Sequence, residues 1–274
     1  MGPANAGAHV SAAGTVDGRN GLLAFARFAY PPNELGYCGP DASTELLERV
    51  AAGVAGADPG LRRLAAEFEG AWPYLTLLAG VAGVDDPLDP GVVEAYWIGS
   101  PLLGRVPTAA LGRCVEDRFR SRGAGPWAGV AAAIVPGAVP HHSFHVCCVS
   151  PWIGLLRGGI VDAPLQVIDR CRIRWATVDV VQGDTAVVTG PGLGWSGGRL
   201  HLGPTTTEVV RLGRDGLGLV DAVRTGQLVA LHWDWVCDRL TPARQRELER
   251  WTRRSLAIAN TTPTAGALAT TAYA

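Results

Sequence analysis

The sequence contains no lysine, so all 24 of its basic residues are arginines. Schiff-base catalysis needs a lysine amine, and a Walker phosphate loop needs a lysine that reaches the phosphates. Both kinds of chemistry are therefore excluded. The formal net charge is −1 and no basic run occurs, so neither overall charge nor a local cluster favours nucleic acid as a partner.

Cysteines and long apolar runs are also scarce. Six cysteines in 274 residues are too few for a disulfide scaffold, and none forms a Cys-x-x-Cys pair. No apolar run reaches the roughly 18–20 residues that cross a bilayer. The first residues lack the basic start and continuous apolar core of a signal peptide. We therefore expect a cytoplasmic protein with reduced thiols and no membrane span.

The composition is that of a folding chain, with 47% hydrophobic and 18% charged residues. Residues 1–18 are rich in alanine and glycine without periodicity and are expected to form a flexible tail. A mainly helical domain is predicted over residues 19–165. A small β-barrel with a C-terminal helix is predicted over residues 166–259, and a disordered tail over residues 260–274. The predicted fold class is α+β.

Prolines mark the expected helix boundaries in the first half. A helix is predicted over residues 19–30, ended by Pro31 and Pro32, because proline removes a backbone donor and restricts the residue before it. Apolar residues keep helical spacing over residues 61–78. Pro73 lies inside that pattern and is expected to kink or split the helix.

The second half has the pattern of short strands. Between residues 172 and 188 β-branched residues alternate with polar ones, and Gln182-Gly183-Asp184 interrupts them, which predicts a hairpin. Glycine-rich turns separate the strands, as in a small closed barrel. Thr241-Pro242 predicts a closing helix over residues 242–259, since a capping side chain precedes a proline in the first turn. Further strands are predicted over residues 199–202, 206–212 and 228–233.

Two stretches of this half carry a family resemblance. Residues 171–188, Cys-Arg-Ile-Arg-Trp-Ala-Thr-Val-Asp-Val-Val-Gln-Gly-Asp-Thr-Ala-Val-Val, resemble the opening of the small HypC/HupF hydrogenase maturation chaperones. That opening has a cysteine, a strand, a Gly-Asp turn and a second valine-rich strand. Residues 225–235, Thr-Gly-Gln-Leu-Val-Ala-Leu-His-Trp-Asp-Trp, are similar to the family's Gly-Asp-Tyr-Val-Leu-Val-His strand. The helix over residues 240–248 follows in the same place.

The resemblance implies a HypC-like, OB-like barrel and a role in assembling nickel–iron hydrogenase. In that family the cysteine and histidine hold an iron that carries cyanide and carbonyl, and the chaperone passes it to the hydrogenase large subunit. Carried over residue by residue, this implies Cys171 and His232 as metal ligands and iron as the metal. The implied partner is the large subunit or another maturation protein. The whole chain also resembles an actinobacterial hydrogenase-associated family.

The sequence departs from the chaperone pattern in three places. The family's cysteine starts the mature chain, whereas Cys171 is internal, so the metal environment cannot be identical. Residues 172–175 replace an apolar-Ala-Ile-Pro segment, and residues 190–198 form an insertion. The helical first half has no counterpart in the small chaperones.

The chemistry of the two implied ligands suits low-spin iron, because thiolate is a soft ligand and imidazole a borderline one. Arg170, Arg172 and Arg174 lie near Cys171 in sequence. They are expected to lower the pKa of its thiol and to face an anionic iron–cyanide unit. Arg172 is accordingly predicted to support the metal site.

A second group has metal-ligand residue types at close spacing, although the spacing is not that of a zinc finger. Helical geometry would place some of its members on one face. We interpret this group as structural, with a second metal site or one wall of the Cys171 cleft as alternatives. Its members are His141, His142, His145, Cys147 and Cys148, together with Cys38 in a turn that can present a thiol to a cavity.

Two other functions remain open. Cys171 as nucleophile, His232 as base and Asp234 or Asp238 as the orienting group would make a thiol enzyme. Asp234 shares a strand face with His232, so it is predicted either to support that site or to cap a turn. The third possibility is a metal-free assembly or interaction module.

Overall fold

The computed structural model describes residues 20–53, 58–120 and 134–261. Its first half is helical, and the helices are mostly short. A short α-helical turn continues directly into a π-helical turn, His145–Val149. The helices before the sheet are α1 (Gly21–Glu34), α2 (Ser43–Ala51), α3 (Pro59–Ala66), α4 (Trp72–Ala82), α5 (Pro90–Trp97), α6 (Thr108–Arg120), α7 (His142–Phe144), α8 (Trp152–Arg157) and α9 (Asp162–Cys171).

Over residues 134–261 of the second half, the structure has seven strands and a last helix. The strands are β1 (Arg174–Gln182), β2 (Thr185–Ser196), β3 (Arg199–Arg211), β4 (Gly213–Arg214), β5 (Leu217–Gly218), β6 (Leu228–His232) and β7 (Trp235–Arg239). The final helix is α10 (Pro242–Thr261). Helices precede a sheet that a helix closes, so the fold class is α+β, as predicted.

Five strands form one mixed sheet in the order β1-β2-β3-β7-β6. Its pairs are antiparallel except β3 with β7, which run parallel and meet at the single pair Arg211↔Trp235. Because β6 also pairs with β1, the sheet returns on itself. The predicted β1–β2 hairpin is confirmed, and Gly183 at its turn has a φ of 57°. The two strands predicted over residues 199–202 and 206–212 are one continuous strand, β3.

The last part of the sheet was incompletely predicted. The strand expected over residues 228–233 ends at His232, and a two-residue turn leads into β7, which was not predicted. Trp233 in this turn has a φ of 52°, an uncommon conformation for a bulky residue. Its backbone is held on both sides: its N–H donates to the Arg170 carbonyl at 2.7 Å, and its carbonyl accepts from Arg174 at 2.5 Å.

The prolines behave differently in the two helices where boundaries were expected. Pro73 splits the predicted helix, since α3 ends at Ala66 and Pro73 lies in the first turn of α4. The prediction that Pro31 and Pro32 end the first helix is wrong. Both prolines are buried inside the last turns of α1, which continues to Glu34. A helix can contain a proline where the carbonyl one turn earlier accepts a hydrogen bond from a donor outside the helix.

The closing helix starts at Pro242 as predicted and extends through Thr261. The disordered tail was predicted to begin at residue 260, but residues 260 and 261 belong to this helix. The Asn260 side chain pairs with β3, accepting from the Leu200 N–H and donating to the Leu200 carbonyl, both at 2.8 Å. The predicted tail over residues 1–18 and the rest of the C-terminal tail, residues 262–274, lie outside the described residues.

One hydrophobic cluster connects the helical part to the sheet. It includes Phe25 of α1, Trp97 of α5, Trp235 of β7 and Trp251 of α10. A smaller cluster of valine, leucine and alanine side chains fills the inside of the sheet. The core therefore crosses the predicted boundary between residues 165 and 166. In the described part of the chain, no helix combines the length and apolar character needed to cross a membrane.

Candidate metal centre

Three side chains with metal-ligating atoms meet where the helical part contacts the sheet. His142 lies at the start of α7, Cys171 is the last residue of α9, and His232 is the last residue of β6. One donor atom from each lies within 4.8 Å of the others, close enough for a single metal ion. The predicted pair Cys171 and His232 is thus brought together. Two residues separate Cys171 from the start of β1.

His232 is fully buried, and its tautomer follows from its contacts. Its Nδ1 lies 2.6 Å from the Phe28 carbonyl oxygen, which can only accept, so Nδ1 carries the proton. The lone pair is then on Nε2, which is buried and has no hydrogen-bond partner in the structure. Metal-bound histidines commonly donate their other N–H to a backbone carbonyl in this way. The ring is therefore oriented as a ligand.

Pro32 explains why the Phe28 carbonyl can accept from His232. In an α-helix the carbonyl of residue 28 accepts from the N–H of residue 32, but proline has no N–H. Phe28 lies on the α1 face that meets β6, so His232 supplies the missing donor. The Pro31-Pro32 pair that was expected to end the helix instead leaves a carbonyl free for a site residue.

His142 is fixed by backbone and ring contacts. Its Nε2 lies 2.8 Å from the Cys171 carbonyl oxygen, so Nε2 carries the proton and Nδ1 the lone pair. The Tyr96 hydroxyl lies 3.3 Å from that Nδ1. The Trp97 ring lies 4.6 Å from the His142 ring and 5.7 Å from the His232 ring, measured between centroids. Aromatic walls and a carbonyl thus hold the imidazole in place.

Burial keeps both imidazoles neutral, which is the form that binds metals. Desolvation lowers the pKa of His142 to about 4 and, with the nearby His142, lowers the pKa of His232 well below its usual value. The Cys171 thiol behaves in the opposite sense. Burial raises its pKa, and charge on Cys38 or Cys147 would raise it further. A metal ion would therefore have to displace the thiol proton on binding.

The expectation that nearby arginines lower the Cys171 pKa is wrong, because their guanidinium groups are paired elsewhere. Arg172 is fully buried and donates to Asp169 and to the Pro191 carbonyl, both at 2.8 Å. Arg170 pairs with Asp234, and Arg174 pairs with Glu208. Adjacency in sequence placed these charges near the thiol, but their side chains turn toward carboxylates. That Arg172 supports the metal site stays a prediction, since its side-chain contacts are with Asp169, Pro191 and Trp175.

The two aspartates considered as orienting groups do not contact His232. The prediction that Asp234 shares a strand face with His232 is wrong, because Asp234 lies in the β6–β7 turn, where its carboxylate pairs with Arg170; a capping role stays a prediction. Asp238 pairs with Arg244 at 2.8 Å. The Phe28 carbonyl occupies the position that an orienting carboxylate would take in a catalytic triad.

The remaining members of the histidine–cysteine group have separate contacts. His141 caps α7, since its Nδ1 accepts from the Ser143 N–H at 3.1 Å. The Nδ1 of His145 lies 3.3 Å from the Tyr74 hydroxyl, and the Cys148 thiol lies 3.4 Å from the Ser255 carbonyl. Cys147 is fully buried. The contacts of these four agree with the structural interpretation, whereas His142 joins Cys171 and His232 through tertiary packing.

The donor set of one thiol and two neutral imidazoles can hold a metal ion. Thiolate and imidazole together suit zinc, iron, nickel and copper better than magnesium or calcium, which prefer oxygen. His232 Nε2 is one of ten buried side-chain nitrogen or oxygen atoms without a hydrogen-bond partner among the described residues, and it is the one that belongs to the three-ligand group. The buried Trp97 Nε1, beside both imidazoles, has no partner either.

Comparison with models of protein families matches residues 17–266 to DUF6390, described as a family of unknown function. The chain belongs to the DUF6390 family. The match includes His142, Cys171 and His232, so the candidate centre of this DUF6390 member lies wholly within the family region. Comparisons with curated proteins and with solved structures gave no match.

Proposed function

We propose that this DUF6390 member is an accessory protein for nickel–iron hydrogenase assembly. In this role it carries an iron–cyanide–carbonyl unit as cargo on His142, Cys171 and His232. The observation that carries the proposal is the meeting of Cys171 and His232, the two positions that match the HypC/HupF chaperones, within one three-ligand group. The receiving partner is the immature hydrogenase large subunit or another maturation protein.

The ligand types fit such a cargo. A thiolate and neutral imidazoles suit low-spin iron, and three protein ligands leave coordination positions for small diatomic ligands. The aromatic side chains of Tyr96 and Trp97 line the histidines and limit water around the site. The chaperone pattern has no residue that corresponds to His142. In this proposal His142 is the further ligand, because Cys171 lies inside the chain and has no free amine beside it.

The strand pairing of the sheet also supports this proposal. Its β1–β2 hairpin, its return through β6 to β1, and the following helix α10 are the features expected of a HypC-like, OB-like barrel. The helical part supplies His142 and the Phe28 carbonyl, so in this proposal it completes the site. It also adds surface for choosing the partner.

A thiol enzyme has less support from the geometry. A nucleophilic cysteine needs a lowered pKa or an adjacent base, and burial raises the Cys171 pKa. The N–H of His232 that an orienting carboxylate would accept is donated to a backbone carbonyl. A metal-free assembly module would leave the unpartnered His232 Nε2 unexplained.

The proposal is tested by anaerobic purification from a host that expresses a nickel–iron hydrogenase and its maturation proteins. Iron analysis and infrared spectroscopy should show stoichiometric iron with cyanide and carbonyl stretches. The Cys171→Ala variant should lose both signals. Cys114→Ala is the matched control, because the Cys114 thiol contacts the Pro73 carbonyl away from the centre.

Three other results would contradict the cargo proposal. A wild-type protein without iron and without diatomic bands, from cells with active hydrogenase, would refute it. Turnover of a substrate with a covalent Cys171 adduct would favour the thiol enzyme. Co-purification of a hydrogenase subunit that persists in Cys171→Ala, without bound metal, would favour the metal-free module.

A further inference from the structure

The loop that follows α1 contacts two residues that lie next to the candidate metal centre in sequence or in packing. Tyr37 in this loop stacks on Trp233, the residue after His232, with ring centroids 4.6 Å apart and planes at 19°. Two residues later, Gly39 contacts the Phe68 ring so closely that an added Cβ would lie 2.4 Å from it. Cys38 lies between these two anchors. The loop therefore holds a thiol between the two sides of the site.

The Phe68 anchor belongs to the aromatic wall of the centre. The Phe68 ring packs against Phe25 with centroids 5.5 Å apart, and Phe25 packs against Trp97 at 5.9 Å. Trp97 in turn contacts the His142 and His232 rings. Because both ends of the loop rest on neighbours of the ligands, Cys38 is held beside the residues that surround the centre.

The shape of the loop is fixed by the last turn of α1. The Asn33 side chain donates to the Cys38 carbonyl at 2.9 Å and to the Pro40 carbonyl at 2.6 Å. The φ values of Gly36 and Gly39, 74° and 85°, are ones that side chains rarely adopt. The same helix end thus orients His232 through Phe28 and holds the Cys38 loop.

Cys38 combines two properties of a residue at the mouth of a cleft. It is exposed to solvent, yet the surrounding protein raises the pKa of its thiol to about 12. Water reaches Cys38 although protein encloses much of its surroundings.

We infer that Cys38 is a fourth, exchangeable ligand of this centre, through which a metal ion passes between the surface and the three inner ligands. Cys38 is outside the group whose donor atoms lie within 4.8 Å, so it binds an ion that has moved outward from the three inner ligands. Binding forms a metal–sulfur bond and releases the thiol proton to water. This inference rests on the proposed metal-binding function and adds an exchange route to it.

Cobalt titration of the full chain under reducing, anaerobic conditions tests the ligand. Two thiolates and two imidazoles would bind Co²⁺ tetrahedrally and give thiolate-to-cobalt charge-transfer absorption. In Cys38→Ser this absorption should fall to about half at unchanged stoichiometry, because one of two thiolates is lost. The Kd for Co²⁺ should rise at least about tenfold, since even groups that only orient ligands are worth 10–100-fold. Cys114→Ser should match the wild type.

The outcomes separate this inference from the function on which it rests. If Cys38→Ser matches the wild type in absorption and Kd while Cys171→Ser loses binding, Cys38 is not a ligand and the three-residue centre stands. If the wild type binds no Co²⁺, and no Fe²⁺ by metal analysis, both proposals fail. Reduced absorption in Cys38→Ser alone supports the fourth ligand.

Alkylation gives a second measurement that does not depend on cobalt spectra. The exposed Cys38 should react with iodoacetamide in metal-free protein, and a stoichiometric amount of Co²⁺ should slow that reaction at least about tenfold, because a coordinated sulfur is a poor nucleophile. Peptide mass spectrometry identifies the labelled residue. An unchanged Cys38 labelling rate with metal bound would overturn the assignment.

Discussion

Pro32 and His232, 200 residues apart in the chain, act on the same backbone carbonyl. Pro32 cannot donate to the Phe28 carbonyl within α1, and His232 donates to it from β6 at 2.6 Å. The unfilled hydrogen bond of one element therefore sets the tautomer and direction of a candidate ligand in another. This relationship connects a local sequence feature of α1 directly to the metal centre.

Replacing Pro32 by alanine should weaken metal binding without weakening the fold. Alanine restores an N–H that competes with His232 for the Phe28 carbonyl, and it is a better helix former than proline. We expect the Kd for Co²⁺ to rise about tenfold, at the lower end of the 10–100-fold effect of outer groups on metal affinity. The thermal midpoint should stay the same or rise.

Pro31→Ala is the matched control for that experiment. It restores an N–H that faces the Arg27 carbonyl, one residue before the carbonyl used by His232. Its Co²⁺ affinity should equal that of the wild type. Equal affinities for Pro32→Ala and Pro31→Ala would show that the freed Phe28 carbonyl does not orient His232.

The two histidine ligands should be separable from other histidines by titration. His142→Ala and His232→Ala should each raise the Kd for Co²⁺ at least about tenfold, because each removes a ligand and outer groups alone are worth 10–100-fold. His201→Ala is the control, since His201 is exposed on β3 and contacts Ser196. Melting curves in the absence of metal identify any variant that has simply unfolded. If His142→Ala binds Co²⁺ with the affinity of the wild type, His142 is not a ligand and only Cys171 and His232 remain as ligands.

The fold should depend strongly on Asp169, although it is not a ligand. Its carboxylate pairs with the fully buried Arg172 and accepts from the Leu193 N–H at 3.0 Å. Asp169→Ala would leave a buried cation unpaired, and we expect a loss of about 3–5 kcal/mol in the free energy of unfolding. Urea denaturation measures this change.

Asp86→Ala is the comparison for Asp169→Ala. Asp86 pairs with Arg62 at 2.7 Å, but both side chains are more than a third exposed. Its removal should change the free energy of unfolding by at most about 1 kcal/mol. Similar losses for the two variants would mean that the Arg172–Asp169 pair is better solvated than the structure indicates.

Several elements were predictable because their signals are local. The β1–β2 hairpin follows from alternating residues around Gly183, the start of α10 from Thr241-Pro242, and the break before α4 from Pro73. Each depends on a few neighbouring residues. β7 was missed because its five residues immediately follow β6, with only two turn residues between them.

The candidate site was predictable only in part, for a different reason. Cys171 and His232 were identified because the stretches around them resemble a family pattern, whereas His142 comes from a segment without one. His142 belongs to the three-ligand group because of how α7 and α9 pack, which brings the His142 Nε2 to the Cys171 carbonyl. The wrong expectation for the Cys171 pKa has the same origin for two of the three arginines, because Arg170 pairs with the distant Asp234 and Arg174 with the distant Glu208.

The Tyr37–Trp233 stack should control access to the centre. Tyr37 is half exposed, so its removal costs little core, and an aromatic pair contributes about 0.5–1.5 kcal/mol beyond its buried area. Tyr37→Ala should therefore populate an open loop and speed iodoacetamide labelling of Cys171, by up to about tenfold if the full 1.4 kcal/mol held the loop closed. Leu35→Ala removes an equally exposed side chain from the same loop without a ring contact and should label at the wild-type rate. If both variants label Cys171 at the wild-type rate, the stack does not gate the site, and Cys171 is reached by a path that leaves the loop in place.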